Sequence, residues 1–166
     1  MADQRLSKSD FLDYLDCDKA FWLKRHEPDA VDWPVPSDFD RLLMAEGYAV
    51  EEMVKDHILS GPDAGLADFQ RVFEAPGGLY ARADLTIDRG SDGIELWEIK
   101  SSTRVTSTRA DHIIDATFQL LVAERSGAHV SKVGVIHVNG DYVRGDALDP
   151  GAFLVFADVT GEVRAR

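Results

Sequence analysis

The sequence is poor in cysteine: Cys17 is the only one in 166 residues. One thiol cannot build a disulfide framework or a multi-thiolate metal site. Basic residues are also in short supply, 18 Lys and Arg against 30 Asp and Glu, for a net charge of −12. Acidity of that degree favours solubility and repels polyanions, so composition taken alone argues against a nucleic-acid partner. No apolar run approaches the roughly 20 residues of a membrane span. The opening MADQRLSKSD carries no apolar signal-peptide core. Repeats of roughly 20–50 residues and low-complexity tracts are missing too. These absences lead to the expectation of a reducing, cytoplasmic compartment and no membrane association.

What is present suits one domain. Ser7-Lys8-Ser9-Asp10 fits a capping box, so a helix carrying Phe11, Leu12 and Leu15 is expected after it. Asp16-Cys17-Asp18 interrupts that helix, and Asp18 is expected to cap a second one bearing Phe21, Trp22 and Leu23. Cys17 then reads as a small core residue at the junction. Pro28, Pro34 and Pro36 make a loop. Residues 1–36 therefore read as a helical extension and 37–166 as the core of a single domain.

Ser37 or Asp38 should cap a helix reaching about Leu59, with Phe39, Leu42, Leu43, Val50, Met53 and Val54 on its apolar side. A strand is expected from about Leu66 to Phe73. Leu79, Ala81, Ala83, Leu85 and Ile87 alternate with more polar residues, the period of a strand with one apolar face. After a turn at Arg89 to Gly93, Ile94 to Lys100 should complete a hairpin. A polar loop follows, then a helix from Asp111 to Arg125 closed by Gly127. Val133 to Val138 reads as a strand, Asn139-Gly140 as a tight turn, and Tyr142 to Arg144 as its return. A last strand is expected over about 153–160. The order predicts an α/β domain, a central mixed β-sheet flanked by α-helices.

The hairpin carries the chemistry. Period-two geometry puts Glu98 and Lys100 on one face of their strand, and the partner strand can bring Asp84 beside them. Two carboxylates and a backbone carbonyl suit Mg²⁺, which takes oxygen ligands. Such an ion assists phosphodiester hydrolysis by lowering the pKa of a bound water and offsetting charge on the transition state. A nearby lysine can orient or deprotonate that water, or stabilise the developing charge. The same spacing also fits a solvated hairpin face with a cross-strand Glu–Lys pair, worth at most ~1 kcal/mol.

Two helices add to the pattern. At ~100° per residue, Glu51 falls about 120° from Phe39, on the shoulder of the apolar arc, while Glu52 points away. Glu51 is thus either drawn inward or a snorkelling boundary residue. The helix after the hairpin is apolar over most of its circumference, with one narrow polar stripe of His112, Asp115 and Gln119. Buried polar groups need partners. A site on the sheet would supply them, as would a local pairing of His112 with Asp115. Arg104 and Arg109 lie in the intervening loop, placed to meet phosphate if that loop borders the site and otherwise solvated. Trp22 and Trp97 fall in apolar patterns and read as core, whereas Trp33 is the more open candidate for base stacking.

The order Gly47-x-x-x-Glu51, Asp84, Glu98-Ile99-Lys100, Gln119 resembles the PD-(D/E)XK nuclease superfamily. It is most similar to the RecB-like branch, which includes the CRISPR-associated RecB-like exonucleases. Ser7-Lys8-Ser9-x-Phe11, Cys17-x-Lys19-Ala20-x-Trp22-Leu23, His112-x-x-Asp115-x-x-x-x-Gln119 and Tyr142-Val143-Arg144 resemble an uncharacterised bacterial family with an N-terminal nuclease domain of this type. The resemblance implies a restriction-endonuclease-like fold and a deoxyribonuclease of DNA repair, recombination or phage and CRISPR-type defence. It implies Mg²⁺ or Mn²⁺ held by Glu51, Asp84, Glu98 and the Ile99 carbonyl, with Lys100 as the catalytic lysine. Gln119 would position substrate or support the site.

The implied partner is DNA, single- or double-stranded, with room for a protein partner or a second domain, which usually follows this part in the larger family. Ala123 stands where the family often has Tyr. With one cysteine, no iron–sulfur cluster is expected. A catalytically inactive module on the same fold, binding nucleic acid or a protein, is the alternative, favoured by the missing tyrosine and the acidity.

Overall fold

The computed structural model describes residues 5–106 and 112–166. Ser7 opens α1 (Lys8–Asp16) through a complete capping box with Asp10, as the sequence predicts. Cys17 rather than Asp18 caps α2 (Asp18–His26): its Sγ accepts from the Ala20 amide, and the residue is exposed, not core. A cap sulfur must face the helix end, which here faces solvent. The long helix α3 (Asp38–Leu59) starts at Ser37 with a second capping box.

The sheet has five strands in the order β1-β2-β3-β4-β5: β1 (Ala67–Ala75), β2 (Leu79–Asp88), β3 (Ile94–Ile99), β4 (Val130–Val138) and β5 (Leu154–Asp158). Only β3 and β4 run parallel, joined through α4 (His112–Arg125), so the sheet is mixed. A short α5 (Pro150–Phe153) precedes β5, and α6 (Thr160–Arg164) follows it.

β3 lies at the centre, and all six of its residues are buried. Ile94 and Leu96 pack with Phe118 and Val122 of α4. Trp97 and Ile99 pack with Val50, Val54 and Ile58 of α3. Helices thus cover both faces of β3, which is why most of its residues on either side are apolar. Glu95 is satisfied by Arg89 and by the Trp97 indole N–H, and Arg89 also binds Asp63. Among the described residues no helix is long and apolar enough to cross a membrane.

Three expectations change. Phe39, Leu42 and Leu43 share helical spacing with Val50 and Val54 but are exposed, because α3 meets the sheet only through its second half. The return strand over Tyr142 to Arg144 does not form. The Asn139 amide donates to the Phe153 carbonyl, so the chain loops out after β4 and re-enters the sheet as β5. Trp22 is half exposed and lies over His26, whereas Trp33 donates its indole N–H to the Pro28 carbonyl beneath Lys24.

One backbone position is dictated by a side chain. A Cβ on Gly134 would lie 2.1 Å from the Trp97 ring, which pairs with Gly134 across β3 and β4. The ring is pinned by Glu95 and by an edge contact with Phe156 at 5.5 Å between centroids. Gly134→Ala is therefore expected to cost roughly 1–3 kcal/mol as an overpacking change. Urea unfolding measures it, and a loss within about 0.5 kcal/mol, the range of ordinary surface changes, would contradict the close packing.

Candidate active site

The site forms where two strands part. β2 pairs with β3 only from Leu85 to Asp88; before that its neighbours are β1 and, at Leu79, the Leu6 segment. Leu85 and Ile87 pack on the α3 side, whereas Ala81 and Ala83 join the α4 cluster, so β2 changes its packing side at Asp84. In the β1–β2 register Asp84 falls opposite Gln70, whose φ of 59° is the sole positive value among described non-glycine residues. The separation leaves the end of β3 without a neighbour on that side. Asp84 supplies one, its Oδ2 accepting from the Ile99 amide at 2.9 Å. On the other side the Lys100 amide donates to the Ile136 carbonyl.

Glu98 stands beside Asp84 and is only 3% exposed. Lys8 Nζ donates to its Oε1 at 2.6 Å, and Lys100 Nζ lies 2.8 Å from the same oxygen. Gln119 Nε2 donates to Oε2. Burial opposes ionisation of Glu98, but Lys8 and Lys100 outweigh it and hold the carboxyl below the usual range. Lys100 also donates to Asp115 Oδ2 at 2.6 Å. Burial pulls the Lys100 pKa down, Glu98 and Asp115 push it up, and the net effect is upward, so the ammonium stays charged.

Asp84 has the opposite balance. Burial, then the charge of Glu98, push its pKa up to about 6 against the Ile99 amide and Lys8, with Glu51 adding a smaller push. Two hollows meet at this residue. A cavity of about 80 Å³ on the α3 side is lined by Glu51, Gln70, Asp84 and Ile99. A larger one of about 340 Å³ on the α1 side is lined by Ser7, Lys8, Tyr80, Arg82 and Asp84.

The structure thus brings Asp84, Glu98, Lys100, Asp115 and Gln119 together, with Glu51 and Ile99 across the smaller cavity. Gln119 is 2% exposed, so its contact is with Glu98 and not with anything outside the protein. His112 is buried, and its Nδ1 accepts from the Thr106 amide, tethering the loop that carries Arg104. Arg104 is exposed, and Arg109 lies outside the described residues.

Lys8 was not legible in the sequence. It stands 90 residues from its partner Glu98, and neither its place in the Ser7-Lys8-Ser9 string nor its position in the first turn after a capping box points to that contact.

The donor set is carboxylate and carbonyl oxygen, which suits a hard divalent cation. Asp84 carries the unrelieved negative charge that such an ion would neutralise. Among the described residues no three His, Cys, Asp or Glu side chains are pre-assembled as a cage. The Glu98 oxygens hold Lys8, Lys100 and Gln119.

No protein-family model matches the sequence, and no curated protein is similar to it. Among solved structures, an alkaline exonuclease (LHK-Exo) from Laribacter hongkongensis is similar in fold. The TM-score is 0.52 at 12% identity, covering 98% of this chain and 84% of that one. SSO0001 is similar with a TM-score of 0.46 at 16% identity, covering 91% of this chain and 72% of that one. The mixed sheet with flanking helices, expected from the sequence as restriction-endonuclease-like, is therefore also the fold of a solved exonuclease.

The raised Asp84 pKa makes a stability prediction. Its folded value, about 6, exceeds the ordinary 3.8, so ionised Asp84 works against the fold. The unfavourable contribution develops as pH rises from about 4 to 6 and is complete above that window. Asp84→Asn is expected to stabilise the protein at pH 8 by roughly 1–3 kcal/mol, with the gain vanishing towards pH 4. Thermal unfolding across that range tests it. A variant less stable than wild type at pH 8 would contradict the assignment.

Proposed function

We propose that the chain is a metal-dependent deoxyribonuclease. The observation that carries the reading is the grouping of Asp84, Glu98 and Lys100 at the point where β2 parts from β3. The fold shared with an alkaline exonuclease supports it.

In this reading Glu51, Asp84, Glu98 and the Ile99 carbonyl would hold Mg²⁺ or Mn²⁺. When bound, such an ion lowers the pKa of water and offsets the charge of a scissile phosphate. Lys100 serves as a fixed ammonium rather than a base, because Glu98 and Asp115 keep it charged. It donates to phosphate oxygen or orients the attacking water. Asp115 aims Lys100, and Gln119 aims Glu98. His112 anchors the loop whose Arg104 would meet the strand.

A second reading, a non-catalytic module on the same fold, draws on the saturation of Glu98 by Lys8, Lys100 and Gln119 and on the buried Ala123 in place of a tyrosine.

Labelled single- and double-stranded DNA incubated with Mg²⁺ or Mn²⁺ separates the two. Cleavage is expected for the wild type, with Lys100→Ala and Asp84→Ala each slower by roughly 10²–10³-fold, the scale of losing one electrostatic contact in an active site. A wild type that leaves DNA intact with either metal, or a Lys100→Ala variant as fast as wild type, would overturn the nuclease reading. Mn²⁺ titration calorimetry would then distinguish a metal site from a non-catalytic module.

A further inference from the structure

Lys8 holds a position that nothing in its local sequence requires. It is the first residue of α1, and its ammonium reaches Glu98 on the central strand. Several contacts fix it there. The Leu6 amide donates to the Gly78 carbonyl and the Tyr80 amide donates to the Leu6 carbonyl, so the segment before α1 runs along the start of β2. Phe11 stacks on Phe118 of α4 at 5.2 Å. Asp10, part of the capping box, pairs with Arg25 at 3.1 Å. In the docked helix these contacts aim the side chain at one place.

That place is the inner end of the 340 Å³ cavity lined by Ser7, Lys8, Ser9, Tyr80, Arg82 and Asp84. Two of these side chains are cationic and three carry hydroxyls. Arg82 is exposed and, among the described residues, has no ion-pair partner. Asp84, at the base, is the only acid in the lining. In a chain of net charge −12 such a lining is unusual. Lys8 and Lys100 also share one oxygen of Glu98, so two like charges are held against one carboxylate oxygen. The Lys8 side chain is 26% exposed and lines the cavity as well as touching Glu98.

We infer that Lys8, with Arg82, forms a phosphate-binding subsite for the substrate strand, and that Glu98 is where the Lys8 ammonium rests when no strand is bound. The inference rests on the nuclease reading and adds a group to it. The phosphate engaged is one flanking the scissile position, since Lys8 already touches Glu98. Lys8 is a substrate-binding residue in this role, and its departure frees one oxygen of Glu98.

Single-turnover cleavage of a labelled single-stranded oligonucleotide, as a function of protein and salt concentration, tests this. Lys8→Met should raise the half-saturating protein concentration about tenfold, the loss of one charge-assisted contact. The slope of log affinity against log salt should fall by about 0.7. The maximal rate should change much less than affinity, and Lys8→Arg should keep most of the affinity. Mn²⁺ binding without DNA should be unchanged or tighter in Lys8→Met, because a competing cation is gone.

Thermal unfolding establishes that both variants are folded. Unchanged half-saturation and salt slope in Lys8→Met, in a wild type that cuts, would overturn this inference alone. Loss of Mn²⁺ binding in that variant would overturn it too, by making Lys8 a support of the metal site. A wild type that neither cuts nor binds the strand would overturn the nuclease reading and this inference with it.

Discussion

A carboxylate in the middle of a protein must be compensated, and the compensation of Glu98 organises this molecule. At 3% exposure its charge has lost nearly all its water. An unpaired charge there would cost several kcal/mol. Three donors from three directions replace the water: Lys8 from α1, Lys100 from the end of β3 and Gln119 from α4. Each is held in turn, Lys100 by Asp115 and Lys8 by the capped start of α1. The path of the N-terminal segment along β2, the polar stripe on α4 and the parting of β2 from β3 all meet at this one group.

The balance around Glu98 contrasts with that around Asp84. Both are acids on neighbouring strands, yet one is held ionised and the other is pushed towards its neutral form. The difference is one of supply: the two ammonium groups lie against Glu98, and Asp84 has a backbone amide. Net charge, which first argued against a polyanionic partner, averages over this. Lys8, Lys100 and Arg82 stand near the parted strands beside Asp84 and Glu98, a local balance that the total does not report.

Much of this could be read in advance, and for definite reasons. Period-two alternation is local, so Leu79 to Asp88 declared itself as a strand, and the turn after it made Ile94 to Lys100 a hairpin partner able to bring Glu98 beside Asp84. The stripe of His112, Asp115 and Gln119 stood out because the rest of α4 is apolar. What escaped depends on contacts far apart in sequence. Phe39, Leu42 and Leu43 look like core until the sheet's extent is known, because a helical pattern does not report how much of the helix has something to pack on. Asn139-Gly140 has the composition of a hairpin turn, but the partner of β4 arrives from Leu154. Cys17 sits at a junction that faces water. Lys8 is an ordinary residue for the first turn of a helix, and its importance lies in where that helix docks.

The docking of α1 has a consequence for how the molecule breathes. The Lys8–Glu98 contact closes a long loop, and the helix that carries Lys8 buries no residue completely. Elements with little buried apolar surface detach at a small fraction of the global unfolding free energy. When α1 lifts away, one oxygen of Glu98 loses its ammonium while the sheet beneath remains intact. The charge state of the central strand is therefore tied to a local opening equilibrium. While α1 is away that oxygen is open to another cation, and nothing else need unfold for this.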